Sequence, residues 1–357
     1  MVTGNARILR EVWPRWLSDE AKDLWSGFLS LDNENIVMST LILIFNGIRA
    51  SPERSELLIK SNHGKTILRT ILGDMERLHG DEQSQNFELG YSIISQLVDY
   101  GYFTEMFHNL QNDEIDVNNR QTILLKCLDS KVHACKDHYP AFIGHSEHIH
   151  LVTLLVRLCQ KAVSVMKEVQ ESTTSNQDSL LDVERVSEMY SGLVLAFQLV
   201  SGLGARDSGN DDLKQVLVRA DTLIVVTDLL RYLETMDLTK GNTPKLGFDY
   251  LKRESVRLIG ILCHENRAMQ DKIRDIGGIA LVLNQCKIDE ANPYIREHAI
   301  LAIRNIVEHN EENQQLIKEL QPIRAVQTDE LSDMGLKATL VDGKVKLSKK
   351  EEEEEGN

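Results

Sequence analysis

Two stretches near the C-terminus, residues 252–273 and 296–317, follow one pattern at an offset of 44 residues. Ile259/Ile303, Asn266/Asn310, Gln270/Gln314 and Ile273/Ile317 are identical at that offset. A fainter copy lies near the N-terminus: setting Asn46 on Asn305 places Leu57 and Leu58 on Leu316 and Ile317. A repeated unit of this length cannot bury its apolar face alone, so it stacks on its neighbours and leaves a long surface for partners.

A period in the forties made only of helical segments predicts an all-α, armadillo- or HEAT-like superhelix. Helical spacing of apolar residues runs through 36–49, 65–78, 87–98, 119–128, 150–169, 180–200, 213–236 and 249–263. In the second copy Ile295, Ala299, Ala302, Ile303 and Ile306 form one apolar stripe. Asn292-Pro293 reads as its N-cap and first turn, and Asn266 and Asn310 read as caps of the short helices that follow each copy. Gly277-Gly278 reads as the stop of one such helix. All six prolines, Pro14 included, fall beside expected helix ends.

Three polar stretches, 170–178, 201–212 and 237–246, read as exposed loops, and the last serves as a domain boundary. The expected organisation is degenerate helical repeats over 1–240, a C-terminal repeat block over 245–347 and a disordered acidic tail over 348–357. Within 337–347 the residues alternate around Asp342-Gly343, a hairpin signal. A lone hairpin is marginal, so it is expected to lean on the last helices.

A net charge of −15 disfavours binding along a phosphate backbone, so nucleic acid is not an expected partner. Five scattered cysteines form no disulfide framework. No signal peptide is apparent, and the uninterrupted apolar runs are too short to span a bilayer. These features together predict a cytoplasmic chain without membrane insertion.

His63-Gly64-Lys65-Thr66 resembles the end of a phosphate-binding loop, but Ile59 stands where the motif needs glycine, so a helix start is expected. Gly202-Leu203-Gly204 lacks the rest of a dinucleotide fingerprint and reads as a flexible loop. No nucleophile elbow, zinc-protease pair or CxxC occurs, so neither catalysis nor a cofactor is expected. One cluster stands out: His133, Cys135, His138, His145, His148 and His150 gather imidazoles and a thiol suited to zinc or copper. Its spacing fits no common structural zinc site, and a histidine-rich loop between repeats is the plainer reading. Metal handling remains the alternative function.

Candidate partner-binding residues come from the copied helices: Lys252, Arg253, Arg257, Arg304 and Asn305, with Asn46 in the N-terminal copy. In armadillo solenoids an asparagine at the position of Asn305 can clamp the backbone of an extended partner. Ile261 occupies that position in the first copy, so the asparagine ladder is broken and a transport-adaptor reading is weakened.

The segments SVRLIGILCHEN (255–266), MQDKI (269–273), LNQCKIDEANPY (283–294), AIRNIVEHNEENQQLI (302–317) and VDGKVKL (341–347) resemble the C-terminal domain of the ataxin-10 family. Upstream, residues 43–48 resemble an N-terminal repeat of that family loosely. The short N-terminus and acidic tail suggest a compact member from a fungus or another lower eukaryote. The resemblance implies a non-catalytic cytoplasmic scaffold tied to cytokinesis and cell survival. It also implies protein partners and possible self-association.

Overall fold

A computed structural model describes residues 5–80, 84–111, 116–136, 138–175, 183–206, 212–238, 250–320, 331, 334, 336–341 and 344–349. Its helices are α1 (Ala6–Trp16), α2 (Leu24–Leu29), α3 (Glu34–Ile48), α4 (Pro52–Lys60), α5 (Asn62–Arg77) and α6 (Gln85–Asp99). They continue as α7 (Phe103–Asn109), α8 (Asn119–Ala134), α9 (His145–Ser175), α10 (Val183–Gly204), α11 (Asp212–Arg219) and α12 (Thr222–Leu238). The C-terminal block adds α13 (Leu251–Cys263), α14 (Arg267–Asp275), α15 (Gly278–Leu283), α16 (Ile295–Val307) and α17 (Glu311–Glu319). Strands β1 (Leu336–Val341) and β2 (Lys344–Lys349) pair antiparallel, Leu336 opposite Lys349 and Val341 opposite Lys344.

The helices stack in sequence order. α3 packs on α6, α6 on α8, α8 on α10, α10 on α13 and α13 on α16. A second layer carries α2 on α5, then α9 on α12 and α12 on α15, so each contact is between near neighbours along the superhelix. Short helices such as α4 and α11 lead into the longer α5 and α12, and α14 leads into the short α15, giving the three-helix unit of an armadillo repeat. One continuous core runs through the stack, from Trp13 and Ile44 through Leu155 and Phe197 to Ile259 and Ile306.

The sequence offset is written into the backbone. Ala50, Glu265 and His309 occupy equivalent positions of the three copies and share a left-handed φ of 51°, 49° and 54°. Each is followed by a cap: Ser51, Asn266 and Asn310 accept from the amides of Arg54, Met269 and Asn313. The chain therefore turns sharply at one fixed place per repeat and starts the next short helix there. Tyr250 and Tyr294, again 44 residues apart, share φ values of 70° and 64°.

Several expectations are corrected. Asn292 does not cap its own helix. Its side chain accepts from the Arg253 amide at 3.3 Å, so the loop before α16 caps the start of α13 across the repeat boundary. Pro14 lies within the last turn of α1. Gly202-Leu203-Gly204 is the helical end of α10, and α9 runs to Ser175 through much of the stretch read as a loop. The helix read over 213–236 is broken between α11 and α12, where Asp221 adopts a φ of 50°. The expected boundary from residue 239 onward, the Asp342-Gly343 turn and the acidic tail from residue 350 lie outside the described residues.

Within α9, residues 145–168 are long and apolar enough to cross a membrane, although no uninterrupted run is. Half of that span is buried in the stack, where Leu151, Leu155, Cys159 and Met166 face α10 and α12. Core packing accounts for its composition.

Candidate interaction surface

Equivalent positions of α13 and α16 show where the solenoid is unfinished. Val256 of α13 is fully buried, whereas Ile300, 44 residues on, is 57% exposed. Gly260 lets α16 approach closely, since a Cβ there would sit 3.1 Å from Cα of Ala302. Its counterpart is the exposed Arg304. Leu301 is 50% exposed and Tyr294 73% exposed. Two positions that bury α13 against the next repeat are thus presented outward by α16, as Ile300 and as an arginine where close packing needs glycine.

The predicted binding residues divide. Arg304 is on this exposed face. Asn305 is half-buried and donates to the Gly260 carbonyl at 2.9 Å, so its amide ties α16 to α13. Asn46 is half-buried on α3, at the far end of the stack. Lys252 is buried, its ammonium 3.6 Å from Glu234, so it is a packing residue of the α12–α13 boundary. Arg253 lies over the Tyr250 ring at 4.9 Å and binds Glu254, which Arg257 also approaches at 3.5 Å. Glu254 is only 1% exposed. His298 of α16 joins them, and burial, with Arg257 next in weight, pushes its pKa down. Arg253 and Arg257 make a partly exposed basic patch over one buried carboxylate, with the neutral His298 ring beside them.

A polar ladder that sequence reasoning missed locks this block. Gln270 donates to the carbonyls of Asn305 (2.8 Å) and Glu308 (3.2 Å). Asn310 donates to Gln270 Oε1 at 3.3 Å and to Asp271 at 3.0 Å. Asn313 donates to the carbonyls of Gln270 and Ile306, both at 2.9 Å, and accepts from Arg274 at 2.8 Å. The identity of Gln270 with Gln314 and of Asn266 with Asn310 was the available signal.

The histidine cluster is dispersed. His133 bonds to the Asp129 carbonyl at 2.9 Å, and the Cys135 thiol donates to Lys131 O at 3.5 Å. His138 lies in the loop beyond α8. His145 and His148 both donate through Nδ1 to Asp212, at 2.9 and 2.6 Å, which holds that carboxyl below its usual range. Nε2 of His148 accepts from the Tyr139 hydroxyl at 2.5 Å. His150 turns instead onto the Phe107 ring, 4.8 Å between centroids, and onto Phe103 and His108. These imidazoles are engaged by carboxylates, a carbonyl, a phenol and aromatic faces. Among the described residues no group of three or more His, Cys, Asp or Glu side chains is placed to hold a metal, so the zinc or copper reading finds no site.

His63-Gly64-Lys65-Thr66 is the expected helix start. Ser61 accepts from the Gly64 amide at 3.0 Å, and a Cβ on Gly64 would fall 1.8 Å from Leu58 O. Glycine is required there by the tight α4–α5 junction.

Stacked three-helix units, a shared turn geometry and an outward surface without a catalytic constellation define an armadillo-like helical-repeat protein. Residues 251–348 match the spinocerebellar ataxia type 10 protein domain. That block is similar to the C-terminal domain of ataxin-10 proteins. The chain is 44% identical to the ataxin-10 homolog of Dictyostelium discoideum over 106 residues, covering 29% of this chain and 17% of that protein. It is 22% identical to the homolog of Debaryomyces hansenii over 98% of this chain and 68% of that protein. Human ataxin-10 matches 60% of this chain at 28% identity, and the chain spans 44% of it. A designed armadillo repeat protein overlays 80% of this chain and 99% of its own length, at 12% identity and a TM-score of 0.39.

Proposed function

We propose that this chain is a non-catalytic protein–protein interaction scaffold acting in cytokinesis and cell survival in the cytoplasm. The observation that carries the reading is the exposed face of α16, where Tyr294, Ile300, Leu301 and Arg304 lie outward and Ile300 and Arg304 stand at positions that the preceding repeat buries. Exposed apolar groups clustered with an arginine suit a protein partner better than a small polar ligand. The basic patch of Arg253 and Arg257 adds acidic segments to the partners this surface suits. Partners in this reading are other proteins, a second copy of the chain among them. Depleting the protein and scoring septation and multinucleate cells tests the role. Failed division supports it, and undisturbed division on full depletion overturns it.

A further inference from the structure

A second apolar surface lies among the N-terminal helices. α2 packs on α5 and α3 on α6, and α1 meets them through Trp13, against Gly47 and Trp25, and through Trp16, against Trp25. A cleft of about 670 Å3 lies there, walled by Trp16, Trp25, Leu24, Phe28, Ile36 and Leu43. Leu24 and Phe28 are one turn apart on α2, and Ile36 and Leu43 are two turns apart on α3, so the trough runs along two helices. Its hydroxyls are already used: Ser39 donates to the Asn35 carbonyl at 2.7 Å and Thr40 to the Ile36 carbonyl at 2.8 Å. The walls are therefore apolar. Lys22, the single charged lining residue, is exposed and makes no ion pair among the described residues.

We infer that this trough docks an amphipathic helix of a partner protein, with apolar side chains in the cleft and an acidic side chain at Lys22. Two observations choose that occupant. The trough continues the helix-on-helix surface that covers α2 and α3 on their other side, so a helix has the complementary shape. The free ammonium at its rim selects a carboxylate. The inference deepens the scaffold reading and rests on it only in taking a protein as ligand.

All three tryptophans of the chain, Trp13, Trp16 and Trp25, lie at this end, so their emission reports occupancy. The full chain is titrated with a helical peptide of about 18 residues carrying leucines on one face and glutamates on the other. A lysine-for-glutamate counterpart and a scrambled peptide serve as competitors. The glutamate peptide is expected to bind on the order of micromolar and about tenfold tighter than either. Phe28→Asp should weaken it about tenfold at unchanged unfolding temperature, since Phe28 is exposed. Lys22→Glu should reverse the preference between the charged peptides. Equal binding of all three peptides, or no binding, overturns the inference. So does self-association by sedimentation that Phe28→Asp abolishes, which would make a second copy the occupant. Failure here leaves the α16 face untouched, and the depletion experiment tests that reading separately.

Discussion

His150 shows how one buried side chain sets an acid response. Its Nε2 has no hydrogen-bond partner, and burial, followed by His108 and Arg157, pushes its pKa down to about 4. The folded chain keeps it neutral while the unfolded chain takes up a proton near the ordinary histidine pKa, about 6.5. The unfolded state thus binds more protons between those values, and stability falls as pH drops through that window, by up to about 1.4 kcal/mol per pH unit. His298 is shifted the same way. Thermal unfolding followed from pH 7 to pH 4.5 should therefore show a falling midpoint, with a shallower fall in His150→Phe; an unchanged slope would contradict this. Asp212 acts in the same direction at lower pH, since its carboxyl is held below its usual range. Its lowered carboxyl keeps the His145–His148 tether charged and loses that contribution only in the acid carboxylate range. In the polar ladder, Asn313→Leu leaves the carbonyls of Gln270 and Ile306 unpaired and should cost about 2–4 kcal/mol in denaturant unfolding. A loss below about 0.5 kcal/mol would show that the ladder is not what locks the block.

At the scale of elements, the α13–α16 crossing is the tightest place to intervene. Gly260→Leu forces a side chain into Ala302 and should separate the two helices. Because solenoid stability is transmitted between neighbours, hydrogen exchange should accelerate over α16 and α17 first. Amides of α3 to α6 should keep their protection; uniform acceleration would contradict repeat-by-repeat coupling. The long helices were legible in sequence because apolar periodicity survives over many turns, and Asn266 and Asn310 were legible because a cap must precede each short helix. α1, α2 and α7 were not legible. They are short, and tertiary contacts fix them, such as the Trp13 indole on the Arg54 carbonyl at 3.0 Å. Asn292 was misassigned because its bond to Arg253 crosses 39 residues. The candidate site was legible only in part. Arg304 stood out as a basic residue of the copied helix, but sequence spacing could not show that Lys252 faces inward.

At the scale of the whole molecule, the described residues of an armadillo-like stack present two exposed surfaces of different character. The N-terminal end is an apolar trough with one cation, and the C-terminal end mixes apolar groups with Arg304 beside a basic patch. The interior repeats lie between these faces. The scaffold account therefore requires that α16 act through its exposed residues and not through stability alone. The most direct measurement is complementation of depleted cells with the full chain carrying Leu301→Asp and Arg304→Glu. Both residues are exposed, so the variant should unfold at the temperature of the unsubstituted chain. The account predicts that the unsubstituted chain restores division and that the folded double variant leaves multinucleate cells. Full restoration of division by the double variant would contradict it.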